Sequence, residues 1–167
     1  YTIANPDSVT AHNGAYVCDD YNHCKAYLEE RQDCTFLFLT KRIERFADCV
    51  PDDWGDGYEN VVVCCTVENQ KNADKRLSLF KSLPIKHKCI TAQPLLEKIH
   101  IEPYLDNIEL VVVGGESDKS PRPLDYVWVI DIREQCIRKN VSFEFSWLPS
   151  LVERCCLHTL HCKTVIE

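Results

Sequence analysis

The sequence has no methionine, no long apolar run and no excess of basic residues, and each absence excludes something. Without an initiator methionine, Tyr1 is not expected to be the natural start, which predicts a fragment. The longest apolar run, Val61 to Cys65, is far shorter than the ~20 residues of a membrane span, and no signal peptide is recognisable, so we expect a cytoplasmic protein with no membrane partner. The formal net charge of -7 leaves no clear nucleic-acid signal.

What is present predicts a folded domain with reduced thiols. A chain of 167 residues that is 45% hydrophobic and 27% charged can bury one sizeable core. Its 11 cysteines are odd in number and include the vicinal pairs Cys64-Cys65 and Cys155-Cys156. Both features argue against a disulfide framework.

Five short segments predict the strands of a parallel sheet. They are mostly continuous apolar runs, which a sheet covered on both faces requires. The segments are Phe36–Thr40, Val61–Thr66, Leu110–Gly114 and Val141–Phe145, with Lys88–Ala92 as a weaker fifth. Between them lie apolar stripes typical of amphipathic helices, in which Asn69 or Asn72 and Asp125 are candidate N-caps.

The spacing of these segments predicts repeated βα units. The predicted strands start at residues 36, 61, 88, 110 and 141. The separations between successive starts are close to the roughly 30 residues that one right-handed βα unit occupies. We therefore predict an α/β protein with a parallel sheet of about five βα units. Such a sheet is either part of a TIM-type barrel or a complete open sheet, and spacing does not separate the two.

Polar residues gather directly after the predicted strands. In both architectures the carboxyl ends of the strands carry the reactive groups, so we predict a binding pocket there. The candidate binding residues are Thr40, Lys41 and Arg42; Glu68, Asn69 and Gln70; Gly114, Gly115, Glu116 and Ser117; and Arg122. The alternative for Glu68, Asn69 and Gln70 is that they only begin a helix, because acids and amides belong in a first turn.

The residue types at these strand ends indicate the ligand. The Gly-Gly-Glu-Ser segment at 114–117 has neither of the spacings of the phosphate-binding glycine loops. An ionised Glu116 only accepts hydrogen bonds, so it suits a cationic or hydroxyl-bearing ligand, while Lys41, Arg42 and Arg122 suit a carboxylate. A zwitterion or a sugar satisfies both sets. The crowded cysteines and histidines of residues 155–162 lack the separated pairs of a zinc finger, and we predict no metal site, with a zinc-bound tail as the alternative.

Four segments together resemble a known family. They read FLFLTKRIERF, NVVVCCTVENQKNADKRL, AQPLLEKI and ELVVVGGESDKSPRPLDYVWVIDIREQC, in this order, within residues 31–145. They resemble phage-associated three-Cys-motif proteins of unknown function, which look like divergent radical S-adenosylmethionine proteins similar to spore photoproduct lyase. The resemblance implies a partial TIM-type barrel over residues 23–145, with residues 1–22 and the tail 146–167 unmatched.

The resemblance also implies cofactors. The full-length family would bind S-adenosylmethionine and a four-iron cluster held by three cysteines. This chain has no C-x-x-x-C-x-x-C motif, so we expect no cofactor in the fragment and no radical chemistry from it alone. The prediction is the C-terminal part of a radical S-adenosylmethionine-like enzyme with an unknown small-molecule substrate. The alternative is a non-enzymatic binding or scaffold domain of a phage or mobile element, with a protein partner.

Overall fold

The computed structural model describes residues 28, 30–117 and 120–146, in which strands and helices alternate along the chain. The strands are β1 Phe36–Thr40, β2 Val61–Thr66, β3 His87–Ala92, β4 Leu110–Gly114 and β5 Ser142–Ser146. The helices are α1 Phe46–Cys49, α2 Gln70–Ser82 and α3 Tyr126–Lys139, with 3-10 turns at Ile43–Arg45 and Glu102–Tyr104. None of the helices in these ranges is long and apolar enough to cross a membrane.

The five strands form one sheet in the order β1-β2-β3-β4-β5, and every neighbouring pair is parallel. The prediction of an α/β protein with a five-stranded parallel sheet is therefore confirmed. Three strands have the predicted bounds, β3 begins one residue earlier, and β5 is shifted by one residue. Within the described residues the sheet is not closed, because β1 and β5 form its edges.

The two longer helices begin at the predicted caps. Asn69 Oδ1 accepts a hydrogen bond from the Asn72 amide at 2.9 Å, which satisfies one of the free N–H groups of the first turn of α2. Asp125 caps α3 in the same way through the Val127 amide. Helix α3 ends at Asn140, which adopts a left-handed conformation with φ of 54°.

The two faces of the sheet differ in what packs on them. Helices α2 and α3 bury their apolar sides against one face, and alternate strand residues such as Val63, Ile90 and Val111 join them in the main core. The opposite face, which we call the second face, carries a smaller apolar cluster centred on Val62, Cys64 and Cys89. No residue of a described helix contributes to that cluster.

Candidate functional site

The residues directly after each strand, which we call the corner of that strand, all lie at the carboxyl edge of the sheet, because the strands are parallel. The β1 and β2 corners meet there. Lys41 Nζ lies 2.8 Å from Glu68 Oε1, although Lys41 itself is more than half exposed. The structure thus brings together two of the candidate residues that the sequence placed after different strands.

Glu68 is held by three side chains. Its second oxygen, Oε2, lies 2.8 Å from Arg76 Nη1 and accepts a hydrogen bond from Asn72 Nδ2 at 2.8 Å. Arg76 also donates to the carbonyl of Thr66 at 2.6 Å, so it ties α2 to the end of β2. Partial burial alone would raise the pKa of Glu68, but the hydrogen bond from Lys41 and the charge of Arg76 outweigh it and lower that pKa.

Asn69 and Gln70 have structural roles in the described chain. Asn69 is the N-cap of α2, as the alternative interpretation expected. Gln70 joins the first turn of α2 to the segment before the 3-10 turn at 102–104. Its Oε1 accepts from the His100 amide at 2.6 Å, and its Nε2 donates to the His100 carbonyl at 3.1 Å.

The β1 corner contributes two exposed cations. Thr40 Oγ1 accepts a hydrogen bond from the Arg42 amide at 3.0 Å, which fixes the turn after β1. Lys41 and Arg42 then stand exposed at the carboxyl edge of the sheet. Of the two, Lys41 is paired with Glu68, whereas Arg42 lies in the exposed turn itself.

At the β4 corner, the two glycines face different surroundings. A Cβ on Gly114 would lie 2.9 Å from Gln93 Cδ and 3.0 Å from the Ser146 carbonyl oxygen. Glycine is therefore required here for the close approach of β4 to its neighbours. A Cβ on Gly115 would meet nothing nearer than Leu124 at 3.8 Å, so its position imposes no such requirement.

Glu116 is bound by Arg122 within the same loop. Arg122 Nε and the Arg122 amide donate to Glu116 Oε2 at 2.9 and 2.8 Å, and Arg122 Nη2 pairs with Oε1. The hydrogen bonds from the Arg122 side chain and amide lower the pKa of Glu116 to about 2. Both carboxylate oxygens are engaged, and Ser117 beside them is exposed. The structure thus pairs two candidate residues whose charges the sequence had assigned to a ligand.

One residue of this edge, Arg76, was not among the candidates. Arg76 lies four residues after Asn72 and so on the same side of α2, a spacing that would have placed it near Glu68. Thr91 stands opposite Thr66 and Val112 in the sheet and is 1% exposed. Its Oγ1 has no hydrogen-bond partner among the described residues. A buried hydroxyl without a partner is costly.

The described cysteines do not fit an iron–sulfur cluster. Burial raises the pKa of Cys65 and Cys136 to about 12, so both are neutral thiols. No group of three or more His, Cys, Asp or Glu residues that could hold a metal ion occurs in the part of the chain that the structure describes. The cysteine- and histidine-rich segment 155–162 lies outside those residues.

Fold and site together define a parallel α/β protein whose polar corners share one edge of an open sheet. Over residues 16–154 the chain matches the family described as "Protein of unknown function (DUF5131)", and it belongs to that family. No curated protein matches the chain, and no solved structure does.

Proposed function

We propose that this chain is the C-terminal part of a radical S-adenosylmethionine-like enzyme and supplies the substrate-facing edge of a partial TIM-type barrel. The sequential order of its five parallel strands carries the proposal. Barrel strands pair with the next strand along the chain, whereas doubly wound sheets reverse direction at a switch point. From β1 to β5 no reversal occurs.

The second face supports a ligand site at the carboxyl edge. Midway along the sheet this face is apolar, with Cys64 opposite Cys89. The second face becomes polar two residues further along each strand, toward the carboxyl edge, where Thr66 lies opposite Thr91. Small-molecule sites typically have mostly apolar walls with a few polar groups in fixed positions.

The charges at this edge favour a ligand that bears a carboxylate. Lys41 and Arg42 are exposed cations, and Arg42 in particular can turn its guanidinium toward a carboxylate and bind it with two parallel hydrogen bonds. We do not propose that Glu116 binds an ammonium group of the ligand, because Arg122 binds both of its carboxylate oxygens. The cluster-binding cysteines are absent from this sequence, so no radical step is assigned to its residues.

Thermal unfolding tests the proposal, because a ligand that binds only the folded state raises its stability. At ten times the dissociation constant, S-adenosylmethionine or S-adenosylhomocysteine should raise Tm by about 4 °C for a domain of this size. Adenosine, which lacks the carboxylate, is the matched control ligand and should raise it less. Equal shifts with adenosine would contradict the carboxylate assignment.

Two variants locate the site. Arg42→Gln removes an exposed guanidinium that lies in a turn, so it should leave the Tm of the free protein unchanged and reduce the ligand-induced shift. Lys41→Gln removes the second exposed cation of the β1 corner and should also reduce that shift. Leu79→Gln on the outer side of α2 is the control and should alter neither quantity. A wild-type shift that both site variants retain would place binding elsewhere.

A non-enzymatic binding or scaffold domain is the second candidate, and one observation favours it. The carboxylates of the β2 and β4 corners are neutralised by cations of the same chain, which suits a stable surface better than a reactive one. The absence of any shift with the three small molecules would favour the scaffold. Origin in a phage or mobile element belongs to both proposals, and the genes beside this one test it.

A further inference from the structure

We propose that the outward side of α3 is a contact surface for a second copy of this chain. Six large apolar side chains stand exposed among the described residues, and four of them lie on α3. These four, together with Arg133 and Glu134, form what we call the α3 stripe: Tyr126, Val127, Ile130, Arg133, Glu134 and Ile137. Tyr126 and Val127 are 60% and 67% exposed, which is unusual for apolar side chains on a helix.

The stripe lies beside the side of α3 that packs on the sheet, and one of its members, Tyr126, contacts Phe145 of β5, with ring centroids 6.1 Å apart. Val129, Ile132 and Cys136 form the buried side of α3 that packs on the sheet. Ile130 and Ile137 are seven residues apart, so two helical turns place them on one line, roughly 115° around the helix from the buried side.

The charges beside this line suit a two-fold pair of parallel helices. Consecutive residues of a helix are about 100° apart, so Arg133 and Glu134 lie on opposite flanks of the isoleucine line. They contact one another within the chain at 3.0 Å and are both substantially exposed. A two-fold axis parallel to α3 would place each Arg133 beside the partner's Glu134 and each Ile130 against its own counterpart.

This self-complementarity favours a second copy over a different partner. A partner surface of one charge sign would attract one flank of the stripe and repel the other. The net charge of -7 opposes self-association in general, so the contact has to come from the local apolar line and its flanking pairs. One helix side buries on the order of 400 Å² per copy, about half of a standard interface, which predicts a weak and reversible dimer.

Sedimentation velocity from micromolar to near-millimolar concentration measures this association. The wild-type chain should show a concentration-dependent shift from monomer to dimer. Leu79→Glu replaces an exposed apolar residue of α2 that lies outside the stripe, and should leave the dimer intact. Ile137→Glu should weaken it at least tenfold, because it places a charge in the apolar line. A wild-type chain that stays monomeric throughout would overturn the proposal.

A charge exchange makes the test specific to self-pairing. Arg133→Glu gives a chain with two acidic flanks, and Glu134→Arg gives a chain with two basic flanks. Each variant alone should dimerise about tenfold more weakly than wild type, since like charges then face one another. An equimolar mixture should recover the dimer, because acidic flanks meet basic ones. Circular dichroism confirms that both variants are folded. A mixture as weak as its components, beside a dimeric wild type, would refute the α3 contact.

Discussion

The β2 and β4 corners each present a glutamate at the carboxyl edge of the sheet, yet the two carboxylates are held in different ways. Glu68 is bound by Lys41 from the β1 corner and by Arg76 and Asn72 from α2. Glu116 is bound by Arg122, six residues further along the same loop. The glutamate after β2 thus connects separate elements of the fold, whereas the glutamate after β4 connects two ends of a single loop.

The difference in partners implies a difference in energy. Glu68 and Arg76 are 10% and 15% exposed, so this pair is largely removed from water, although Lys41 is not. Arg122 is 65% exposed, and solvent weakens the attraction that it exerts on Glu116. We therefore expect the β2 corner to contribute to global stability and the β4 corner to order its own loop.

The largest expected effect is that of Glu68→Gln. This change keeps the size of the side chain but leaves Arg76 and Lys41 without a counter-charge, and should lower the free energy of unfolding by about 2–3 kcal/mol. Urea denaturation measures it. The matched variant Glu116→Gln should have a clearly smaller effect. Equal losses in the two variants would remove the distinction between the corners.

The neighbouring glycines of the β4 corner give the next largest contrast. Gly114→Ala places a methyl group against Gln93 and the Ser146 carbonyl and should lower the free energy of unfolding by about 2 kcal/mol. Gly115→Ala has room for the same methyl group and should change it by less than about 0.5 kcal/mol. Thermal or urea unfolding of both variants provides the comparison, and similar losses would be contradictory.

Replacement of Thr91, which lies on β3 between the two corners, should increase stability. Thr91→Val replaces an unpartnered buried hydroxyl by a methyl group of the same shape and should raise the free energy of unfolding by about 1 kcal/mol. Thr40→Val is the control, because it removes the acceptor for the Arg42 amide and should be neutral or destabilising. A destabilised Thr91→Val would show that the hydroxyl is already satisfied.

The smallest expected difference between the β2 and β4 corners lies in how their contributions to stability depend on pH. The folded-state pKa of Glu68 is lower than its ordinary value of 4.5, so below pH 4.5 the unfolded chain binds more protons. The stability that Glu68 contributes is thus present above pH 4.5 and lost as the pH falls below it. The difference between wild type and Glu68→Gln should shrink in that range. For Glu116→Gln, any difference should fade between pH 4.5 and about 2. Urea unfolding at a series of pH values checks both, and a Glu68 difference that persisted at acid pH would contradict the assignment.

Most of the fold could be predicted because its signals are local. Continuous apolar runs marked β1, β2 and β4 to the residue, and side chains three and four apart marked α2 and α3. The third strand was weaker because Lys88 interrupts its apolar run. The structure shows that Lys88 is buried over the Phe80 ring and donates to the Lys81 carbonyl at the end of α2. A single polar residue with a tertiary partner was enough to obscure a central strand.

The candidate site was predictable in part. Parallel crossovers place the corners of β1 and β2 at one edge, so the proximity of Lys41 and Glu68 follows from the predicted topology. The roles of Arg76 and Arg122 could not be predicted from the topology, because each pairs with a carboxylate that the sequence had suggested as a ligand-binding group. Such pairings depend on how α2 docks and how the loop folds back.

Apolar periods and capping residues act over a few positions of the chain, so the order of elements, the parallel sheet and the edge that carries polar groups were already encoded in local patterns. The partner of each charged side chain was decided only in three dimensions. A long side chain reaches several angstroms, and several neighbours within that reach compete for it. Packing of α2 against the sheet selects Arg76 for Glu68, and the course of one loop selects Arg122 for Glu116.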